Sequence, residues 1–157
     1  MMDFDALLAQ DHVAIVDELP SRKTALRQLA ESLAQRLPDQ SYREIFFKLQ
    51  EREQEGSTSL DEIPVAIPHC RVEGCEVPIA ALLRTRNGST VDFGGTNVQL
   101  IFAMCFPQNR PEEALEVLRM FVTVVGNNAC LQKLLLAESP QALHELLRIA
   151  WQAETLV

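Results

Sequence analysis

"NVQLIFAMCF" (residues 97–106) is the stretch on which the fold turns. It is nearly all apolar, and a strand needs that composition when both its faces are covered, in a sheet with a layer on either side. The flanking sequence supplies the layers. Downstream, Pro111 opens a helix whose first turn carries Glu112 and Glu113, complementing its dipole, and Gly126 ends it. Leu115, Leu118, Val122 and Val125 are predicted on its inner side. A short helix over "ACLQKLLLA" (129–137) follows, and Ser139-Pro140 starts another with Leu143, Leu146, Leu147 and Ala150 inward.

Upstream, "HVAIVDEL" (12–19) gathers β-branched residues before a Pro20-Ser21 break and reads as a short strand. Ser21 then caps "RKTALRQLAESLAQRL" (22–37), where Ala25, Leu26, Leu29, Ala30, Leu33 and Leu37 form an apolar helical stripe that Pro38 stops. "DQSYREIFFKLQEREQEG" (39–56) repeats the pattern with Tyr42, Ile45, Phe46 and Leu49 on one face, Arg52 in the last turn and Gly56 as terminator. "STSLDEIP" (57–64) lacks periodicity and reads as a loop. "VPIAALLRT" (77–85) is a further buried strand; Asn87-Gly88 is a hairpin signal, with "STVDF" (89–93) as the return strand. Strands interleaved with helices, with a hairpin among them, imply a three-layer α/β/α sandwich with a mixed central sheet, one domain over residues 1–157.

Bulk properties narrow the function. The chain of 157 residues is 47% hydrophobic and 23% charged, ordinary for a folded domain. Its 14 Lys+Arg against 22 Asp+Glu give a net charge of -8, which opposes nucleic acid and anionic membrane surfaces and favours a basic protein partner. "MMDFDALLAQDH" (1–12) is acidic where a secretory leader is basic, and no apolar run reaches membrane-spanning length, so a cytoplasmic location without membrane insertion is expected. Four cysteines, Cys70, Cys75, Cys105 and Cys130, are too sparse for a disulfide scaffold and read as reduced, small apolar groups.

The chemistry centres on "VAIPHCRV" (65–72). Pro68 lacks an N–H and stands where a strand ladder ends or at its edge, which puts His69 at a strand's mouth. A neutral imidazole is a nucleophile near pH 7, suited to accepting a phosphoryl group if one nitrogen is tied to a carbonyl and cations or N–H donors surround the phosphoryl oxygens. Arg52, Arg71, Ser57 and Thr58 are the candidate donors, because helix, loop and strand are continuous here. The residues alone leave open a plainer arrangement: a solvated Arg52, a turn at Ser57-Thr58 and a packing His69. A metal site from His69, Cys70 and Cys75 with Cys130 or His144 matches no common zinc spacing. Adjacent side chains on an extended backbone diverge, which disfavours that site and also a Cys70 nucleophile assisted by His69. "DFGGTN" (92–97) lacks the spacing of a phosphate-binding fingerprint and reads as a turn, and His12 and His144 read as surface or satisfied polar residues.

"REQEGSTSLDEIPVAIPHC" (52–70) resembles the active-site stretch of enzyme IIA domains of the phosphotransferase system, mannitol/fructose type, which include a nitrogen-related regulatory branch. An R-E dipeptide, an S-T pair and A-aliphatic-P-H occur in that order, and the predicted elements agree over nearly the whole chain. The resemblance implies a mixed sheet flanked by helices and a phosphocarrier that takes a phosphoryl group from phospho-HPr and passes it to an enzyme IIB partner. It implies His69 as phosphoacceptor, Arg52 as phosphate-orienting arginine and Ser57 and Thr58 as the pocket's hydroxyl pair; no cofactor or metal is expected. Two departures bear on efficiency. "SLDEIP" (59–64) is one residue longer than the family's loop and carries Asp61 and Glu62, and Ala114 stands where counting from Pro107 places the family's second histidine. Both favour an alternative, a regulatory IIA-like module that binds a target protein with phosphotransfer weakened or lost.

Overall fold

Five of the six α-helices among the described residues start where a side chain accepts an orphan N–H of the first turn, and the fourth starts at a proline instead. The computed structural model describes residues 3–86 and 88–155. Asp3 caps α1 (Phe4–Leu7), a helix of one turn, which a 3-10 turn (Gln10–His12) joins to β1 (Val13–Val16). Ser21 and Ser41 accept N–H bonds at the starts of α2 (Arg22–Ala34) and α3 (Tyr42–Gln54). The strands β2 (Val65–Ala66), β3 (His69–Arg71), β4 (Ile79–Thr85), β5 (Val91–Asp92), β6 (Asn97–Val98) and β7 (Leu100–Phe106) follow. Pro111 stands at the start of α4 (Pro111–Gly126), Asn127 caps α5 (Asn128–Leu136), and Ser139 accepts the Ala142 N–H at the start of α6 (Pro140–Thr155).

β4 and β7 are buried along their whole length and pair antiparallel from Ile79↔Cys105 to Arg84↔Leu100. β1 runs parallel to β4 on one side, and β2 and β3 run parallel to β7 on the other, so the sheet is mixed. β2 and β3 keep a single register against β7, Val65↔Leu100 and His69↔Met104, and amount to one edge strand interrupted at Ile67-Pro68. The cause is local: Pro68 has no N–H to give, although its carbonyl still accepts the Met104 N–H at 3.0 Å.

Strand alternation divides the apolar residues between two cores. Ala80, Leu82, Leu100, Phe102 and Met104 face α1, α4, α5 and α6, while Ile79, Ala81, Leu83, Ile101, Ala103 and Cys105 face α2 and α3. The chain is therefore a three-layer α/β/α sandwich. In the first core Phe102 of β7 stacks on Phe121 of α4 at 4.3 Å between ring centroids. Truncating Phe121 to alanine removes that stack and leaves a cavity, at a cost of about 3–5 kcal/mol.

Three local expectations are corrected. The return strand of the predicted hairpin does not pair with β4: Val91 and Asp92 pair with Val98 and Asn97 around the Gly94-Gly95 turn, and β4 finds its antiparallel partner in β7. Asn87, half of that hairpin signal, lies outside the described residues. On α4 the buried residues are Ala114, Val117, Phe121, Val124 and Val125, whereas Leu115 is 57% and Val122 40% exposed. Both sets fit a helical period, and periodicity alone cannot choose when a helix is apolar most of the way round. Cys130 is half-buried, unlike the other three cysteines. No single helix among the described residues is long and apolar enough to cross a membrane.

Candidate functional site

α3 sets the site through two of its faces. Ile45 and Leu49 are buried in the core against the sheet, and Glu53, the next residue at the same spacing of four, is buried against Thr58 of the following loop. The adjacent face turns Lys48, Glu51, Arg52 and Glu55 toward an open cleft of about 430 Å³, completed by His69, Cys70, Arg71 and Phe106 at the ends of β3 and β7. β3 alternates as a strand must: His69 is half-buried, Cys70 buried and Arg71 exposed, which puts His69 and Arg71 on the same side.

His69 Nδ1 lies 2.8 Å from the carbonyl oxygen of Ile67. A carbonyl only accepts, so Nδ1 carries the proton and Nε2 of the neutral ring keeps its lone pair. Among the described residues Nε2 has no protein hydrogen-bond partner. Burial holds the imidazole below its ordinary pKa; the bond to Ile67 opposes that shift, Arg52 adds to it and Glu53 works against it. The ring is therefore neutral at pH 7 and has a free nucleophilic nitrogen. Arg52 donates from Nη1 to the Gly56 carbonyl at 2.8 Å, which anchors the guanidinium at the cleft wall, and Arg71 lines the same cleft.

Ser57 and Thr58 are placed elsewhere. Ser57 Oγ donates to the Phe93 carbonyl at 2.7 Å and accepts the Ser59 N–H at 3.1 Å. Thr58 is buried, and both its hydroxyl and its N–H donate to the Glu53 carboxylate. Neither residue lines the cleft, and both hydroxyls are committed to protein partners. Glu53, 3% exposed, enters the sequence reading only as the second residue of the R-E dipeptide, with no role of its own, although its place one helical turn after Leu49 and five residues before a threonine was the available signal. Lys48, also missed, adds a cation to the cleft, while Glu51 and Glu55 add carboxylates.

Asp61 and Glu62 are exposed in the loop and do not line the cleft, so the carboxylates near His69 come from α3 instead. Ala114 faces the core of α4, 3% exposed, so counting from Pro107 does not mark a cleft position. The cleft-lining residues include no histidine besides His69. His12 Nδ1 pairs with Ser32 Oγ and His144 Nε2 with the Leu8 carbonyl, each at 2.8 Å. Cys70 turns its sulfur to within 3.9 Å of that of Cys105, away from the imidazole, and burial pushes the Cys75 thiol up to about 11.

Residues 6–149 match the family described as phosphoenolpyruvate-dependent sugar phosphotransferase system, EIIA 2. The chain is 36% identical over 129 residues to a nitrogen regulatory protein of Pseudomonas aeruginosa, covering 80% of this chain and 82% of that one. Among solved structures it is similar to the nitrogen regulatory protein IIA-Ntr of Neisseria meningitidis, with a TM-score of 0.78, 30% identity, and coverage of 90% of this chain and 96% of that one. It shares its fold with the mannitol enzyme IIA of Escherichia coli, solved in complex with phosphorylated enzyme IIB, at a TM-score of 0.69 and 19% identity over 90% of this chain and 98% of that one. The register of sheet and helices, the cleft and these likenesses agree: the chain belongs to the EIIA type-2 family of the phosphoenolpyruvate-dependent sugar phosphotransferase system.

Proposed function

We propose that the protein is a histidine phosphocarrier whose reactive atom is His69 Nε2. One observation carries this reading: Nδ1 is bonded to the Ile67 carbonyl at 2.8 Å while the rest of the ring lines a cleft shared with Arg52 and Arg71. In the transfer, the Nε2 lone pair attacks the phosphorus of a phosphohistidine on an HPr-like donor. An N–P bond forms to His69 as the donor's N–P bond breaks, and its electron pair leaves on the donor ring. The Nδ1 proton stays in place, and the Ile67 carbonyl stabilises the positive charge that develops on the ring. Arg52 offers a planar fork to the phosphoryl oxygens, with Arg71 adding charge from the same side of β3. The partner that receives the group is an enzyme IIB protein or a regulatory target, and a protein donor of this kind places the reaction in the cytoplasm.

A regulatory role for the same chemistry is favoured by the named relatives, two of which are nitrogen regulatory proteins. Phosphorylation of His69 adds about two negative charges to a cleft that already carries Glu51 and Glu55, enough to alter what docks there. The test is incubation with enzyme I, HPr and phosphoenolpyruvate. The expected product is an acid-labile phosphoryl adduct that is absent in His69→Ala, and an adduct that persists in that variant overturns the assignment.

A further inference from the structure

We propose that Glu53 and Thr58 form a positioning pair that holds the reactive tautomer of His69, a role that rests on His69 being the phosphoacceptor. A continuous series of hydrogen bonds joins them. The Glu53 carboxylate, buried to 1% exposure at its side chain, accepts the Thr58 hydroxyl and, at 3.1 Å, the Thr58 N–H. The Thr58 carbonyl accepts the Ile67 N–H at 3.1 Å, and the Ile67 carbonyl accepts His69 Nδ1–H at 2.8 Å. Each link fixes the group that makes the next, from a buried charge to the proton that decides which imidazole nitrogen is nucleophilic.

The buried carboxylate gives the series its stiffness. A carboxylate removed from water must keep its partners, and its nearest cation, Arg22, is 3.9 Å away, so Thr58 cannot leave without stranding it. The other side of the loop is held as well. Ser57 is bonded to the Phe93 carbonyl, and a Cβ at Gly94 would come within 2.9 Å of Ser57 Cβ, so the β5–β6 turn presses directly against the loop. Ile67 is available as the final link because the next peptide, into Pro68, has no N–H and the strand ladder breaks there. Arg52 shares the arrangement, since it precedes Glu53 and bonds the Gly56 carbonyl at the start of the same loop.

The test uses Thr58→Val, which keeps the side chain's shape and removes its hydroxyl, with Thr58→Ser as the restoring variant and Glu53→Gln as a second disruption. Two quantities are read: the ¹⁵N NMR tautomer ratio of His69, and the rate of His69 phosphorylation by phosphoramidate, a small donor that needs no protein docking. Wild type and Thr58→Ser are expected to hold Nδ1–H and to react within about twofold of one another. Thr58→Val and Glu53→Gln are expected to gain Nε2–H and to slow about tenfold, the scale of loss from a small misplacement of a reacting group. A folded Thr58→Val or Glu53→Gln with the wild-type tautomer and rate overturns the proposal, leaving the pair a fold-stabilising role only. A wild-type ring that carries its proton on Nε2 overturns it whichever variants fold. His69→Ala in parallel separates the two readings: undiminished phosphorylation there removes the phosphoacceptor assignment, while the tautomer ratios still report on the hydrogen-bond series.

Discussion

His69 and His144 make the same bond with opposite nitrogens. Each lies 2.8 Å from a backbone carbonyl, His69 through Nδ1 to Ile67 and His144 through Nε2 to Leu8. His144 is buried between α6 and α1, its ring 5.4 Å from that of Phe4, with Asp5 Oδ1 at 3.6 Å. Its bond ties two helices together. His69 sits where an edge strand breaks, and its bond leaves the outer nitrogen at a cleft that Arg52 and Arg71 also line. What separates the proposed phosphoacceptor from a structural histidine is thus which nitrogen the carbonyl takes and what faces the other.

The contrast can be broken at several points. His69→Ala has the largest expected effect, complete loss of the acid-labile phosphoryl group in a protein that still folds. Arg52→Lys exchanges a fork for a point charge and is expected to slow phosphorylation by about 10- to 100-fold with the melting temperature little changed. His144→Leu is expected to leave the phosphorylation rate of the folded protein unchanged, because the groups its imidazole meets, the Leu8 carbonyl and the Asp5 carboxylate, lie outside the cleft. It should lower stability by about 1–3 kcal/mol, read by denaturant or thermal unfolding. A rate loss in His144→Leu comparable to that of Arg52→Lys would mean that the two histidines are not functionally separate.

The finest distinction is in pH. Only the neutral ring attacks phosphorus, and burial together with Arg52 lowers the His69 pKa. The rate of reaction with a small phosphoryl donor is therefore expected to stay level as pH falls to the ordinary imidazole value of about 6.5 and to decline only below it. Arg52→Gln removes a positive charge that lowers that pKa, so its decline should begin at a higher pH. An unmoved profile in Arg52→Gln would place the guanidinium too far from the ring to act on it.

The parts of this molecule that could be read in advance were those specified locally. The apolar run of β7, the Ser21 cap and the stripes of α2 and α3 carry their own signals within a dozen residues. His69, Arg52 and Arg71 were legible because the chain runs directly from the end of α3 through one loop to β3. The pairing of β4 was not, since its partner β7 begins fifteen residues after β4 ends and the Gly94-Gly95 turn belongs to a separate pair of short strands. The inner face of α4 was ambiguous because Leu115 and Val122 are as apolar as the residues beside them that are buried. Ser57 and Thr58 were assigned to phosphate because a hydroxyl shows nothing in the sequence about which acceptor it will meet; a buried glutamate met Thr58 first.

The loop after α3 also lies along the outer margin of β2. Leu60 N–H donates to the Val65 carbonyl at 2.8 Å, Ile67 N–H to the Thr58 carbonyl at 3.1 Å, and Ser59 bridges Ala66 antiparallel. Along β2, the backbone groups an intruding strand would recruit are already occupied by the protein's own chain. A carrier that must meet other proteins over and over gains from this, because the half of the edge strand that leads up to His69 offers no template for polymerisation.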